Sequence, residues 1–202
     1  FLNSYTGDKM KKIVFASNNQ HKINEVKEIL MGVEILTLND IGFNNDIEED
    51  GHTFLENALI KARVVSEYLK QLGLDYDVLA DDSGLCCESL DLAPGIYTAR
   101  YAGEYKNSKA NRDKVIDELR GKDKNAYFTC TLVLYKMDGS YITREGRTYG
   151  VIIDEERGDT SFGYDCIFLS NDLGKTFGEA TSEEKNKVSH RSRALEQLKE
   201  IL

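Results

Sequence analysis

Four stretches of the 202-residue chain carry side chains suited to a phosphate, a hard cation or a base. The first, Ser17-Asn18-Asn19-Gln20-His21-Lys22, closes an apolar run and opens an amphipathic one. A helix start gathers free N–H groups and the positive end of the backbone dipole, which suits an anion. Lys22 adds a point charge, and Ser17, Asn18 and Asn19 add short hydrogen-bonding side chains. The segment has no glycine, so it is neither a Walker A loop nor a dinucleotide fingerprint. An Asn helix cap beside an exposed Lys would also account for it.

The second stretch is Asp81-Asp82-Ser83-Gly84, expected at the C-terminal end of an apolar strand. Neighbouring side chains on an extended chain point to opposite faces, so one of the two carboxylates faces any given site. A Mg²⁺ ion takes one or two carboxylates plus waters and phosphate oxygens; an Asx turn closed by Gly84 is the competing reading. The third is the acidic run Glu48-Glu49-Asp50-Gly51, a solvated loop unless folding brings it near Asp82. The fourth combines Ser161-Phe162-Gly163-Tyr164-Asp165 with Glu184-Lys185-Asn186 and Ser189-His190-Arg191. A Phe ring can stack on a base, and Lys, His and Arg can donate to carbonyl or phosphate oxygens.

The elements that must position these groups are visible in the apolar periodicity. Lys12 to Ser17 reads as a strand, and Ile23, Val26, Ile29 and Leu30 then repeat at helical spacing. A second helix should start at a Thr53–Glu56 capping box and stop at Gly73, burying Leu55, Leu59, Ala62, Val65, Leu69 and Leu72. Asp77 to Ala80 reads as a buried strand. A third helix covers Ser108 to Arg120 with Gly121 at its end. Tyr127 to Tyr135 reads as a strand with Phe128, Cys130, Leu132 and Leu134 on one face; Asp138-Gly139 turns it back into Tyr141 to Arg144 and Arg147 to Ile153. The last helix should run from Ser189 to the end, burying Ala194, Leu195, Leu198, Ile201 and Leu202. Strands and helices that mix without strict alternation predict a mixed sheet flanked by helices.

Composition narrows the partners. Lys plus Arg number 26 against 35 Asp plus Glu, a formal net charge of −9. Such a surface disfavours nucleic-acid polymers, whose binding rests on Lys and Arg displacing counterions. No apolar run approaches the roughly 18 residues of a membrane span, and 41% hydrophobic residues can build a core. The length fits a single domain, expected over 10–202, with 1–9 a short extension or cloning remnant and Met10 a native start. No secretory leader is visible. Cys86, Cys87, Cys130 and Cys166 lack paired metal spacing and read as reduced core thiols of a cytoplasmic protein.

Six ordered blocks stand out together: FASNNQHKINEV (15–26), EEDGHTFLENALIKA (48–62), ADDSGL (80–85), APGIYTARYAG (93–103), FGYDCIF (162–168) and EEKNKVSHRSRAL (183–195). In this order the chain resembles the inosine triphosphate pyrophosphatase family over nearly its whole length. The resemblance implies an elongated α/β fold of two lobes with a nucleotide in the cleft between them, a homodimer and a Mg²⁺ requirement. It also implies hydrolysis of nonstandard purine nucleoside triphosphates (ITP, dITP, XTP) to the monophosphate and pyrophosphate. Residue by residue, Ser17, Asn18, Asn19, Gln20, His21 and Lys22 would hold the triphosphate, as would Lys61. Glu49 and Asp82 would hold the metal, with Asp82 also accepting a proton, and Ser83 would touch the nucleotide. Phe162, Gly163, Tyr164, Asp165, Lys185, His190 and Arg191 would surround the base, with His190 and Arg191 donating to the purine 6-oxo group. Cys166 and Ser161 stand where the family often has Pro and Gly, and Ala180 where a larger apolar residue is common. A Maf-like nucleotide pyrophosphatase and a nucleotide-binding regulatory module without hydrolysis are the alternatives. The FGYD and SHR blocks oppose the first, and the intact set of charged groups opposes the second.

Overall fold

The computed structural model describes residues 10–202; the expected extension 1–9 lies outside the described residues. Six strands form one sheet in the order β2-β1-β3-β4-β5-β6. Strand β1 (Lys12–Phe15) pairs in parallel with β2 (Glu34–Leu36) and β3 (Asp77–Cys87), while β4 (Asn125–Tyr135), β5 (Tyr141–Ile152) and β6 (Phe168–Ser170) continue antiparallel. The sheet is therefore mixed, as its sequence pattern predicts.

Helix α1 (Gln20–Ile29) begins where the Asn19 side chain accepts from the Lys22 N–H, satisfying one of the open donors of its first turn. It packs with α5 (His190–Lys199) on one sheet face against Ile13, Phe15, Leu79, Cys130, Leu132 and Leu134. Helix α2 (Phe54–Gln71) covers the other face through Ala58, Leu59, Ala62, Val65 and Leu69 against Val14, Val78, Ala80 and Val133. A third core gathers at the far end of β3, β4 and β5, where α3 (Ser108–Glu118) meets Leu85, Phe128, Phe168 and Phe177. The three long strands thus run from one packed lobe into a second, and residues 81–84 lie where the lobes meet.

Several expectations differ in detail. The Asp81–Gly84 stretch is not a turn at a strand end; β3 continues through it, paired with β4 as Asp81↔Leu132, Asp82↔Thr131 and Gly84↔Thr129. Gly84 is required there by close approach, since a Cβ would collide with the Gly95 carbonyl and sit 3.0 Å from the Phe54 ring. The break expected between Arg144 and Arg147 is also absent, because Glu145 and Gly146 stay in register with Thr131 and Cys130. Thr53 caps α2, but Glu56 returns its bond to the His52 N–H at 2.6 Å instead of closing a reciprocal box. Leu72, Ile201 and Leu202 are exposed because their helices end before them. The short strands β2 and β6 and the capped helix α4 (Ser182–Val188) complete the fold.

Candidate active site

At the lobe junction Asp81 and Asp82 take opposite sides of β3. Asp81 is fully buried toward α1 and α5. Lys22 Nζ lies 3.1 Å from its Oδ2, Arg191 Nε lies 3.4 Å away, and Ser83 Oγ donates to it at 2.8 Å. Burial alone would raise the Asp81 pKa, but Lys22, Arg191, Lys61 and the Ser83 hydroxyl together hold it far below the usual carboxylate range. Arg191 is fully committed: Nη1 meets Glu25 Oε2 at 2.9 Å and Nη2 donates to Ser83 Oγ at 3.2 Å. A buried guanidinium bonded at three nitrogens fixes Asp81 and Ser83. The donation to a 6-oxo group expected of it would require exchanging one of these bonds.

Asp82 faces α2, where Lys61 donates to the Asp81 carbonyl oxygen and lies 2.7 Å from Glu49 Oε1. Burial would depress the Lys61 pKa, yet Asp81, Glu49 and Asp82 outweigh it and keep the ammonium charged. Asp82 Oδ2 is withdrawn from solvent without a hydrogen-bond partner, while Glu49 Oε1, also buried, has the Lys61 ammonium at 2.7 Å. Burial, with Glu49 repulsion adding to it against the pull of Lys61, pushes the Asp82 pKa up to about 6. An unpartnered buried carboxylate oxygen is costly in a stable fold and calls for an explanation. An oxygen-only pair fits a Mg²⁺ ion, which keeps several waters and shares substrate phosphates. Among the described residues no group of three or more His, Cys, Asp or Glu side chains converges, so an all-protein cage for a softer metal is not built.

The other expected residues divide between cleft and scaffold. Ser17 Oγ accepts from the Asn19 N–H at 3.1 Å, and Asn18 is exposed. Gln20 turns along the helix surface to Asn24 at 2.7 Å, leaving the open backbone N–H groups and Lys22 as the groups of α1 whose chemistry suits an anion. His21 packs against Phe162 with the rings tilted by 30° and their centroids 4.5 Å apart. Tyr164 is 4% exposed and donates to the Thr98 carbonyl at 2.6 Å, so its ring belongs to the distal core. Lys185 Nζ pairs with Asp165 Oδ2 at 2.7 Å. His190, stacked on Phe128 at 5.0 Å, is buried with Nδ1 unpartnered. Burial, then Arg191 and Lys185, drive its pKa well below the ordinary histidine value, so the imidazole is neutral.

Glu25 escaped the sequence reading. It sits three residues after Lys22 on α1, a carboxylate inside the buried stripe of Ile23, Val26 and Ile29, and that position was its signal. A cavity of about 940 Å³ is lined by Phe54, Pro94, Tyr97, Tyr127 and Arg147 among others. None of Lys22, Lys61, Asp81, Asp82 or Arg191 lines it, and none of the unpartnered buried polar atoms belongs to its lining. The charged groups and the unpartnered Asp82 oxygen therefore gather at the lobe junction, outside this cavity.

A helix N-terminus, two lysines and the carboxylates of Glu49 and Asp82 meet between two lobes of an α/β fold, an arrangement whose chemistry suits a phosphorylated ligand. The chain belongs to the Ham1 family, whose sequence model matches residues 13–201. It is 47% identical over 199 residues to a dITP/XTP pyrophosphatase of Clostridium perfringens, covering 96% of this chain and 98% of the relative. It is 45% identical over 198 residues to the protein of the same name from Bacillus subtilis, covering 96% and 98%. Among solved structures, the Ham1 protein of Staphylococcus aureus superposes with a TM-score of 0.83 at 38% identity, covering 95% of this chain and 97% of that one. A HAM1 protein from Coxiella burnetii gives 0.84 at 38% identity, covering 95% and 98%.

Proposed function

We propose that the chain hydrolyses nonstandard purine nucleoside triphosphates (ITP, dITP and XTP) to the monophosphate and pyrophosphate, clearing them from the nucleotide pool. The observation that carries the chemistry is the buried, unpartnered Asp82 Oδ2 in the field of Glu49, whose own Oε1 is held 2.7 Å from the Lys61 ammonium.

In this reading the open N–H groups of α1 and the Lys22 ammonium take the triphosphate, with Lys61 offsetting further charge. Lys22 exchanges its bond to Asp81 for phosphate oxygens, and Asp81 stays compensated by Arg191 and Ser83. A water hydrogen-bonded to Asp82 attacks phosphorus in line with the departing anhydride oxygen; its proton passes to the carboxylate and pyrophosphate leaves. Glu49 and Asp82 would hold Mg²⁺, which supplies neutralisation of the charge on the phosphates. The base lies on Phe162. His190 and Lys185 stand as donors toward a 6-oxo group, which adenine, presenting an amino group there, would leave unpaired. A homodimer and a cytoplasmic location belong to the same proposal. No helix of the described residues is long and apolar enough to cross a membrane.

The test is pyrophosphate release from ITP, dITP, XTP, GTP, ATP and dUTP with and without Mg²⁺. Preference for the first three, lost without Mg²⁺ and in Asp82→Asn, is expected. Equal rates on ATP and GTP would remove the specificity, and an active Asp82→Asn variant would remove the mechanism.

A further inference from the structure

Between Asp159 and Tyr164 the chain carries Phe162 against His21 at the start of α1, and its attachments there are few. Asp159 is held by its N–H to the Gly178 carbonyl at 2.9 Å, and Tyr164 is sunk in the distal core. Between them, Ser161 bonds only locally, to Asp159 Oδ1. The tertiary hydrogen bonds of this span converge on Gly163, a left-handed residue at φ +54°, and both go to α3. Its N–H donates to Ser108 Oγ at 3.3 Å and its carbonyl accepts from Arg112 Nη1 at 2.8 Å.

Arg112 is a buried charge, 2% exposed, whose Nε also meets Glu156 Oε1 at 3.0 Å. One planar guanidinium thus ties both flanks of the loop, Glu156 on its incoming side and Gly163 beside Phe162, to a single helix. Lys109 reaches the same Glu156 oxygen at 3.2 Å but lies on the surface, so it adds charge without reaching Gly163. A lysine at 112 could not reproduce the two-pronged geometry, because its ammonium is a point donor.

We propose that Arg112 is a positioning residue for nucleotide binding: it fixes, through Gly163 and Glu156, the plane and depth at which Phe162 meets the base. This rests on the reading of Phe162 as the base platform given above. A stack contributes equally to the bound substrate and the transition state, so loosening it raises KM and leaves kcat. Released from α3, residues 160–163 can carry the Phe162 ring away from its 4.5 Å contact with His21 and from any base placed there.

The test compares Arg112→Met, Arg112→Lys, Ser108→Ala and Phe162→Ala on ITP, with Mg²⁺ present. Expected are a KM raised about ten-fold in Arg112→Met and Phe162→Ala, the loss of one base–aromatic stack, with kcat within about two-fold. Arg112→Lys should recover part of that loss, and Ser108→Ala should raise KM less. The chain has no Trp, so Phe162→Trp places a single Trp at the platform, excited selectively at wavelengths its tyrosines do not absorb. Adding Arg112→Met to it should red-shift the emission and abolish quenching by ITP while circular dichroism is unchanged. An unchanged KM in folded Arg112→Met with a raised KM in Phe162→Ala overturns the proposal. An unchanged KM in Phe162→Ala overturns the base-platform reading instead. Should Arg112→Met fail to fold, Ser108→Ala decides: a KM equal to the parent's rejects the α3 tether.

Discussion

Lys22 Nζ stands 3.1 Å from Asp81 Oδ2, so the lysine proposed to take the phosphates is already compensated by a carboxylate with no solvent exposure. The pair joins a buried cluster in which Arg191 bridges Asp81, Ser83 and Glu25. Its members are mutually satisfied, and removing one leaves cations uncompensated. Asp81→Ala should therefore destabilise the fold by about 3–5 kcal/mol, seen as a Tm lowered by roughly 6–20 °C for a chain this size. A thermal melt of the variant within about 2 °C of the parent would show the cluster to be dispensable.

Asp82 should behave oppositely. Its carboxylate lies next to Glu49 with an unpartnered oxygen, so neutralising it relieves repulsion and strands no cation, Lys61 retaining Glu49 and the Asp81 carbonyl. Asp82→Asn should keep or slightly raise Tm while lowering kcat by about 10²–10⁴, the usual worth of a positioned proton acceptor. Two neighbouring aspartates would then give one variant that unfolds and one that folds without turning over, a contrast read from melts and pyrophosphate release in a single experiment.

That contrast was only partly legible in the sequence. The period-2 rule places Asp81 and Asp82 on opposite faces, but it does not say which face holds cations. The apolar run Asp77 to Ala80 made the strand visible, and the Asp-Asp-Ser-Gly composition then signalled a turn, although β3 continues to Cys87. Gly84 is bare because the Gly95 carbonyl and the Phe54 ring crowd it from segments remote in sequence, and no local pattern encodes that. Glu25, Arg112 and Tyr164 were misplaced or missed for a related reason. A buried charge looks like a surface charge until its partner is known, and an aromatic in a site-like motif can serve the core, as Tyr164 does through Thr98. The Asn19 and Thr53 caps were legible because each side chain accepts from an N–H three residues on, although the Thr53 cap lacks the reciprocal bond of a capping box.

The cysteines give a chemical prediction. Cys86 and Cys87 pair with Tyr127 and Ala126 on β4 and so point to opposite faces; adjacent residues on a strand cannot close a disulfide. All four thiols are free and buried, and burial pushes Cys86 up to about 11 and both Cys87 and Cys130 up to about 12. Thiolate is the reactive form. A thiol reagent should therefore label the folded protein slowly near neutral pH and label four groups at once in denaturant. Rapid labelling of the native chain at Cys86 or Cys87 would contradict the burial.

His190 links the site to pH. Its imidazole is buried, stacked on Phe128, and faces Arg191 and Lys185 as well as Lys22 and Asp81, so the folded state disfavours its proton. The unfolded chain takes that proton as pH falls through about 6.5 while the folded chain does not. The unfolded state thus binds more protons below that value, and stability falls as pH drops. Asp82, raised to about 6, acts in the opposite sense: its contribution is present below the ordinary carboxylate pKa and is lost as pH rises through about 6. The two oppose each other in the same window, so the wild-type profile alone is uninformative and a difference isolates the histidine. His190→Gln keeps a hydrogen-bonding side chain and removes the titration; its Tm should decline less than wild type between pH 7.5 and 5.5. Parallel profiles for the two proteins would mean that His190 accepts its proton in the folded state, and a neutral imidazole could then no longer be assigned to the base pocket.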